Sequence, residues 1–386
     1  MNLFRVDIDR TQYFFVSYYV QSADTLREAA WDIAIGQSVG NPFIRNRLET
    51  DDIIRDHSCI VLEDEERLKR ISEGEIKIAF PLANIDLETD GISQLLAQII
   101  GGQTDIGQVK KCRVMDIWFP DQARRYFLGP RYGLSGIRDY TGVYDRPLLG
   151  AIIKPKVGLT KEKLLDVVKK LIDGGVNFIK EDEIMSNPTI CSFRERVPYI
   201  SEYLSGQKKV IYAFCINSDP LYILDRVKWV YDHGGNAVHV NLWSGLGVYK
   251  SIRDLNLPLF LFFQKSGDRV ITHPQNCYGI DWRLLAYLGA ISGADMIHAG
   301  MWRGYIPGDE RELLSVISTI RNNNALPSLS GGATPELVES IIEKFGVDIM
   351  ISAGGSIHGH PDGTLGGARA FREAIDRCGQ PSVSLG

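Results

Sequence analysis

Apolar and polar positions in residues 11–120 alternate without a fixed unit. Thr11–Val20 is a run of aromatic and β-branched residues, the composition of a strand. Asp24 can cap a helix that carries Arg27, Glu28 and Ala30. Ser58–Leu62, Glu75–Phe80 and Lys111–Phe119 read as further strands, and Asp90–Ile100 reads as a helix. The pattern predicts a small α+β domain over residues 1–125, with helices against one side of a sheet. The Gly-, Pro- and Arg-containing stretch Pro120–Arg146 reads as a connector.

A regular rhythm follows over residues 126–386. Strand-like cores recur at Leu149–Ile153, Val176–Ile179, Val210–Ile216, Ala237–Val240, Leu257–Phe263, Asp295–His298, Leu326–Leu329 and Asp348–Ser352. Helical patterns lie between most of them, at Lys161–Asp173, Tyr222–Asp232, Trp282–Ile291, Glu310–Asn322 and Pro335–Phe345. Eight strands alternating with helices predict an α/β fold, a (β/α)₈ barrel. Doubly wound sheets also alternate, but they rarely need eight strands, and no GxGxxG follows the first one.

Composition narrows the class without naming a function. Charged residues make up 24% and hydrophobic residues 44%, as in ordinary globular proteins. A formal net charge of -5 argues against a nucleic-acid partner. No apolar run reaches the ~18 residues of a membrane span. The opening Met1–Asp7 is too polar for a signal peptide. Six scattered cysteines with no CxxC read as reduced thiols of a cytoplasmic protein, and zinc is not expected.

In such a barrel the chemistry sits at the C-terminal ends of the strands. The first strand ends in Lys154-Pro155-Lys156. Two neighbouring ammonium groups repel, which favours a general base or acid, unless both simply extend into solvent. The second ends in Lys180, Glu181, Asp182 and Glu183. Lys180 and Asp182 share a face, and Glu183 opens the loop. Carboxylates here suit Mg²⁺, but an ammonium cannot ligate; converted to a carbamate by CO₂, Lys180 would complete the site. Alternatively the segment is a solvated acidic loop, or the lysine stays protonated in an ion pair.

The fourth strand offers His239 or Asn241, and the fifth Lys265 and Arg269 for anions. His298 stands at the sixth. The seventh and eighth end in Ser330-Gly331-Gly332 and Gly354-Gly355, where backbone N–H groups can approach a phosphate. His358 and His360 lie beyond and read as structural or as supports behind the site.

Five segments, in this order and at compatible spacings, resemble the ribulose-bisphosphate carboxylase/oxygenase (RuBisCO) large chain. They are Gly150–Gly158, Gly174–Glu183, Gly293–Gly300, Ser330–Gly332 and Gly354–Pro361. The resemblance is strong over the barrel and weak before it. It implies a TIM barrel behind an N-terminal α+β (ferredoxin-like) domain, and a carbamylated Lys180 that binds Mg²⁺ with Asp182 and Glu183. It implies Lys154 as the acid/base and Lys156 as its support. His298, Ser330, Gly331, Gly332, Gly354 and Gly355 would hold the substrate and its phosphate. It also implies a homodimer, with the barrel loops of one subunit meeting the N-terminal domain of another.

The departures are as informative. Carboxylases of the family carry a lysine on the loop after strand six, where this chain has Tyr305 in Met301–Gly308. A neutral phenol cannot replace a cation. The family's His- and Arg-rich end of strand five is Phe262-Phe263-Gln264-Lys265 here. The N-terminal segments Gly36–Pro42 and Gly101–Asp105 also depart from the family pattern. The chain therefore resembles a RuBisCO-like protein of form IV. The expected activity is Mg²⁺-dependent enolate formation on a small phosphorylated keto-sugar or keto-acid, as enolase, isomerase or β-keto-acid decarboxylase. One alternative is the 2,3-diketo-5-methylthiopentyl-1-phosphate enolase of methionine salvage, although Asp105 stands near the position of that enzyme's lysine base. Another is a catalytically idle, phosphate-binding regulatory barrel.

Overall fold

β1 (Tyr13–Ser22) forms where aromatic and β-branched residues alternate with polar ones, and its Phe14, Val16, Tyr18 and Val20 are all buried. It pairs antiparallel with β3 (Glu73–Pro81) on one side and β4 (Val109–Trp118) on the other, while β2 (Ile60–Val61) lies beyond β3. Helix Leu26–Gly36 starts one residue later than the sequence suggested. Thr25, not Asp24, is its cap, with the side chain accepting from the Glu28 N–H. Thr25 is the last residue with extended backbone, so its hydroxyl, not the earlier carboxylate, reaches the first turn.

The computed structural model describes residues 3–207, 209–305 and 309–378. They divide into two compact units, one of Met1–Phe127 with Gly267–Leu288 and the other of Leu128–Ser266 with Gly289–Gly386. The second unit holds a closed barrel. Its strands are β5 (Leu148–Ile152), β6 (Phe178–Lys180), β7 (Ile211–Cys215), β8 (Ala237–Asn241) and β9 (Phe260–Gln264). A three-residue strand unseen in the sequence pattern, β10 (Tyr278–Ile280), instead joins the first unit's sheet, parallel to β4. The barrel resumes with β11 (Met296–Gly300), β12 (Leu326–Leu329) and β13 (Met350–Ala353), which pairs with β5 and closes the ring.

Each expected barrel strand is present. Three barrel helices escaped the pattern reading, the last of them Gly363–Cys378. Helix Phe193–Ser205 carries Pro198 in its interior, and helix Gly247–Asp254 begins on a glycine. The presumed connector also has structure. Helix Gly133–Thr141 sends Ile137 into the barrel's apolar cluster.

One alternation along the strands builds the site. Leu148, Phe178, Ala237, Phe262, Met296, Leu326 and Met350 belong to one buried cluster, with the Phe178 and Phe262 rings stacked at 5.3 Å. Burial of each large side chain stabilises the barrel by about 1.5–3 kcal/mol. Side chains two residues on share the same face. On most of these strands that position is polar: Lys180, His239, Gln264, His298, Ser328 and Ser352. The Ser328 and Ser352 hydroxyls meet at 3.0 Å. The interior therefore changes from hydrocarbon to hydrogen-bonding groups within one pleat, toward the C-terminal strand ends.

Candidate active site

Residue orientation at the end of β6 is set by Glu181. Its carboxylate receives Arg196 Nε at 2.8 Å and Nη2 at 3.0 Å, the Tyr212 hydroxyl at 3.1 Å and the Cys215 N–H at 2.8 Å. Glu181 and Arg196 are fully buried. With Glu181 fully engaged by these partners, the acidic segment splits: Glu181 pairs with Arg196, while Lys180 and Asp182 pair with Glu183 and Lys154.

Lys180 and Asp182 are each 1% exposed. The Lys180 ammonium donates to the Glu181 carbonyl at 3.0 Å and to Glu183 Oε2 at 3.2 Å. Lys154 Nζ donates to Asp182 Oδ2 at 2.5 Å. Burial opposes ionisation of Glu183, but the Lys180 ammonium and hydrogen bonds from Ser266 and Gln264 outweigh it and hold the carboxyl well below its usual range. The structure thus brings together Lys154, Lys180, Asp182 and Glu183. Lys156 stands apart: it is exposed, and Lys154 is matched to a carboxylate rather than set against a second ammonium.

Gln264 joins this cluster to His298, and sequence reading treated it only as a replaced residue. Its Nε2 donates to Glu183 Oε2 at 2.8 Å and to Ser266 Oγ at 2.9 Å. Its Oε1 lies 3.0 Å from His298 Nδ1, and His298 Nε2 lies 3.2 Å from the Ser330 carbonyl oxygen. A carboxylate can only accept, so the amide orientation is fixed and Oε1 must face His298. The signal was available, because Gln264 stands two residues past the core Phe262.

The Gly331-Gly332 pair is a close-fitting turn. Gly331 and Gly332 have φ of +121° and +111°, which side-chain-bearing residues rarely adopt. A Cβ on Gly332 would lie 2.6 Å from the Tyr305 nitrogen, and the Tyr305 N–H donates to the Gly331 carbonyl at 3.1 Å. The Tyr305 side chain itself is exposed, at 79%. A Cβ on Gly354 would lie 3.1 Å from Lys154 Cε, whereas Gly355 has open space. Lys265 follows β9, with its Nζ within 4.0 Å of where a Gly300 Cβ would stand. Arg269 opens the short helix Arg269–Thr272 of the other unit. Asn241 is used locally, accepting from the Trp243 N–H and donating to the Ser266 carbonyl. His358 bridges the Ile152 carbonyl and Thr364 Oγ1, a structural place.

Among the described residues, no group of three His, Cys, Asp or Glu side chains could hold a metal ion. Asp182 and Glu183 supply two carboxylates, so a cation site here with three protein ligands would demand Lys180 as the third. The residues fit that demand. One ammonium and two carboxylates carry a net charge of one minus; with Lys180 as a carbamate the three groups carry three minus charges. His239 on β8 is fully buried.

Sequence and structure comparisons converge. Residues 10–123 match the N-terminal domain of the ribulose bisphosphate carboxylase large chain, and residues 133–383 match its catalytic domain. The chain is 31% identical to a 2,3-diketo-5-methylthiopentyl-1-phosphate enolase of Geobacillus kaustophilus, over 93% of this chain and 91% of that one. It is likewise 31% identical to a ribulose bisphosphate carboxylase of Methanocaldococcus jannaschii, over 78% of this chain and 76% of that one. The octameric carboxylase of Pyrococcus horikoshii superposes with a TM-score of 0.85 at 27% identity, covering 96% of this chain and 89% of that one. A RuBisCO-like protein of Alicyclobacillus acidocaldarius gives 0.82 at 26% identity, covering 96% and 94%. With both domains matched in order and the barrel closed around Lys180, the chain belongs to the RuBisCO large-chain family.

Proposed function

We propose that this protein is a form IV RuBisCO-like enzyme that forms an enolate on a small phosphorylated keto-sugar or keto-acid and does not fix CO₂. Its cofactors are Mg²⁺ and CO₂, the latter as a carbamate on Lys180; Lys180, Asp182 and Glu183 are the metal ligands. The observation that carries this reading is the buried cluster in which Lys154 meets Asp182 at 2.5 Å and Lys180 meets Glu183 at 3.2 Å. The names of the relatives do not choose between enolase and carboxylase, since both occur at 31% identity. Tyr305, standing where the carboxylases have a lysine, favours the enolase side.

A bound divalent ion supplies Lewis-acid polarisation of a substrate carbonyl. The protein's residues do the rest. Lys154 Nζ holds a proton against Asp182 and moves it at the carbon beside that carbonyl, giving it as an ammonium or taking it as a free amine. The C–H electron pair then enters the enolate. Lys156 supports this step, and Lys265 and Arg269 attract the anionic substrate. His298, held by Gln264 and the Ser330 carbonyl, with Ser330, Gly331, Gly332, Gly354 and Gly355, receives the phosphate and orients the substrate. The assembly is a homodimer with its site at the subunit interface, in the cytoplasm. No helix among the described residues is long and apolar enough to cross a membrane.

Solvent-deuterium exchange tests the reading. The protein, with Mg²⁺ and bicarbonate in D₂O, is offered 2,3-diketo-5-methylthiopentyl-1-phosphate, 5-methylthioribulose-1-phosphate and 3-oxo-isoapionate-4-phosphate. Mg²⁺-dependent deuterium incorporation or turnover is expected with one of them, and no ¹⁴CO₂ fixation with ribulose bisphosphate. Fixation, or silence with all three, overturns it.

A further inference from the structure

The sheet of the first unit carries a groove that the proposed chemistry does not use. Side chains alternate along β1. Phe14, Val16 and Tyr18 are fully buried on one face, where the Tyr18 hydroxyl donates to the Ile99 carbonyl of helix Gly91–Ile99 at 2.8 Å. Phe15 and Ser17 take the opposite face. There Phe15 stands opposite Trp118 of β4, and Ser17 stands between Asp116 of β4 and Lys77 of β3. With Arg10 they line a cavity of about 290 Å³, near the lower end of ligand-pocket volumes.

The groove has an aromatic floor and a cationic rim. The Phe15 and Trp118 rings lie 5.1 Å apart at 47°. Phe15 is buried, but Trp118 keeps 51% of its surface exposed. The Arg10 guanidinium stands over the Phe15 ring, 5.8 Å from its centre. The turn Arg10–Gln12 is held in place twice: Asp9 accepts from the Thr11 N–H at 3.0 Å, and Gln122 donates to the Thr11 carbonyl.

The carboxylates beside these cations are already committed. Asp116 Oδ2 pairs with Arg283 at 3.2 Å, and its Oδ1 accepts from the Ile117 N–H at 2.9 Å. Asp9 Oδ1 takes both the N–H and the hydroxyl of Thr11. Arg10 and Lys77 therefore give the groove a surplus of positive charge next to an open indole. A simple anion would leave Trp118 unused, and a neutral ring would leave both cations unused. A ligand with a flat ring and a phosphate uses all of them, by stacking and by charge-assisted hydrogen bonds.

We propose that this groove binds a mononucleotide, its base against Trp118 and its phosphate between Arg10 and Lys77. The lining residues belong to the first unit, whereas Lys154, Lys180, Asp182 and Glu183 belong to the second.

Calorimetric titration of the full chain with AMP, GMP, CMP and UMP tests this, with adenosine and inorganic phosphate as half-ligands. At least one nucleotide should saturate one site per chain, more tightly than either half-ligand. Trp118→Ala should weaken that binding at least about tenfold, and so should the paired change Arg10→Gln with Lys77→Gln. The paired change should also flatten its salt dependence. Lys154→Met should leave the binding unchanged, which separates the groove from a phosphate caught by the barrel. Absence of saturable binding with all four nucleotides overturns the proposal. So does binding that survives the groove variants, or that is lost in Lys154→Met. If Trp118→Ala does not fold, the paired change decides, since Arg10 and Lys77 are both exposed. If the wild type binds no nucleotide and Trp118→Ala lowers the oligomeric state in sedimentation, the face belongs to a second copy of the chain and the proposal falls.

Discussion

Arg196 grips Glu181 through both carboxylate oxygens, at 2.8 and 3.0 Å, and neither side chain reaches solvent. This pair fixes the orientation of the residue between Lys180 and Asp182. Arg196→Met should destabilise the protein by about 3–5 kcal/mol, because a buried carboxylate loses its cation. Urea denaturation measures this. The double change Arg196→Met with Glu181→Leu should recover part of the loss, since removing both charges avoids an unpaired one. Full additivity of the two single changes would show that the pair is not coupled.

Lys154 and Lys180 should fail differently. Lys180→Ala removes a metal ligand in the proposed site and should abolish turnover. Lys154→Met removes the proton carrier and should slow solvent-deuterium exchange by about 10²-fold or more, within the range general acid–base groups contribute. Divalent-ion binding, followed by Mn²⁺ electron paramagnetic resonance, should survive Lys154→Met. Unchanged exchange in that variant would remove Lys154 from the chemistry.

Tyr305→Lys by itself should not produce CO₂ fixation. The new ammonium would stand on a loop tied to β12 by the Tyr305 N–H to Gly331 carbonyl bond, but Gln264 and Lys265 still replace the family's histidine and arginine. Radiolabelled CO₂ with ribulose bisphosphate is the assay, and incorporation above background would contradict the expectation.

His358 should make stability pH-dependent. Burial, its largest influence, pushes the ring's pKa down to about 4 from 6.5. Between those values the unfolded chain has bound a proton that the folded chain has not. Stability is therefore full above pH 6.5 and falls as pH drops toward 4. From pH 7 to pH 5 the contribution is about 2 kcal/mol. His358→Asn should flatten this part of the profile, seen as a smaller shift in the urea midpoint between the two pH values.

Much of this architecture was legible in the chain. The barrel strands announce themselves because each carries a β-rich apolar core bounded by turns and helices. β10 did not, because three residues pairing with a strand far away in sequence leave no local pattern. Helix Phe193–Ser205 was hidden by Pro198, whose cost tertiary packing of Val197 and Ile200 overrides. Asp24 looked as good a cap as Thr25 until backbone geometry separated them.

By itself the sequence determined which residues are available to the site: Lys154, Lys180, Asp182, Glu183, His298 and the two glycine pairs stand at strand ends because the period of two and the barrel rhythm put them there. Only the tertiary structure decided who meets whom. Glu181 left the acidic cluster for Arg196, Lys154 turned to Asp182 rather than standing against Lys156, and Gln264 bridged Glu183 to His298. Periodicity fixes the face a side chain takes, but pairing depends on which strands the closed ring brings side by side and on which charges are shut away from water, and those are properties of the whole barrel.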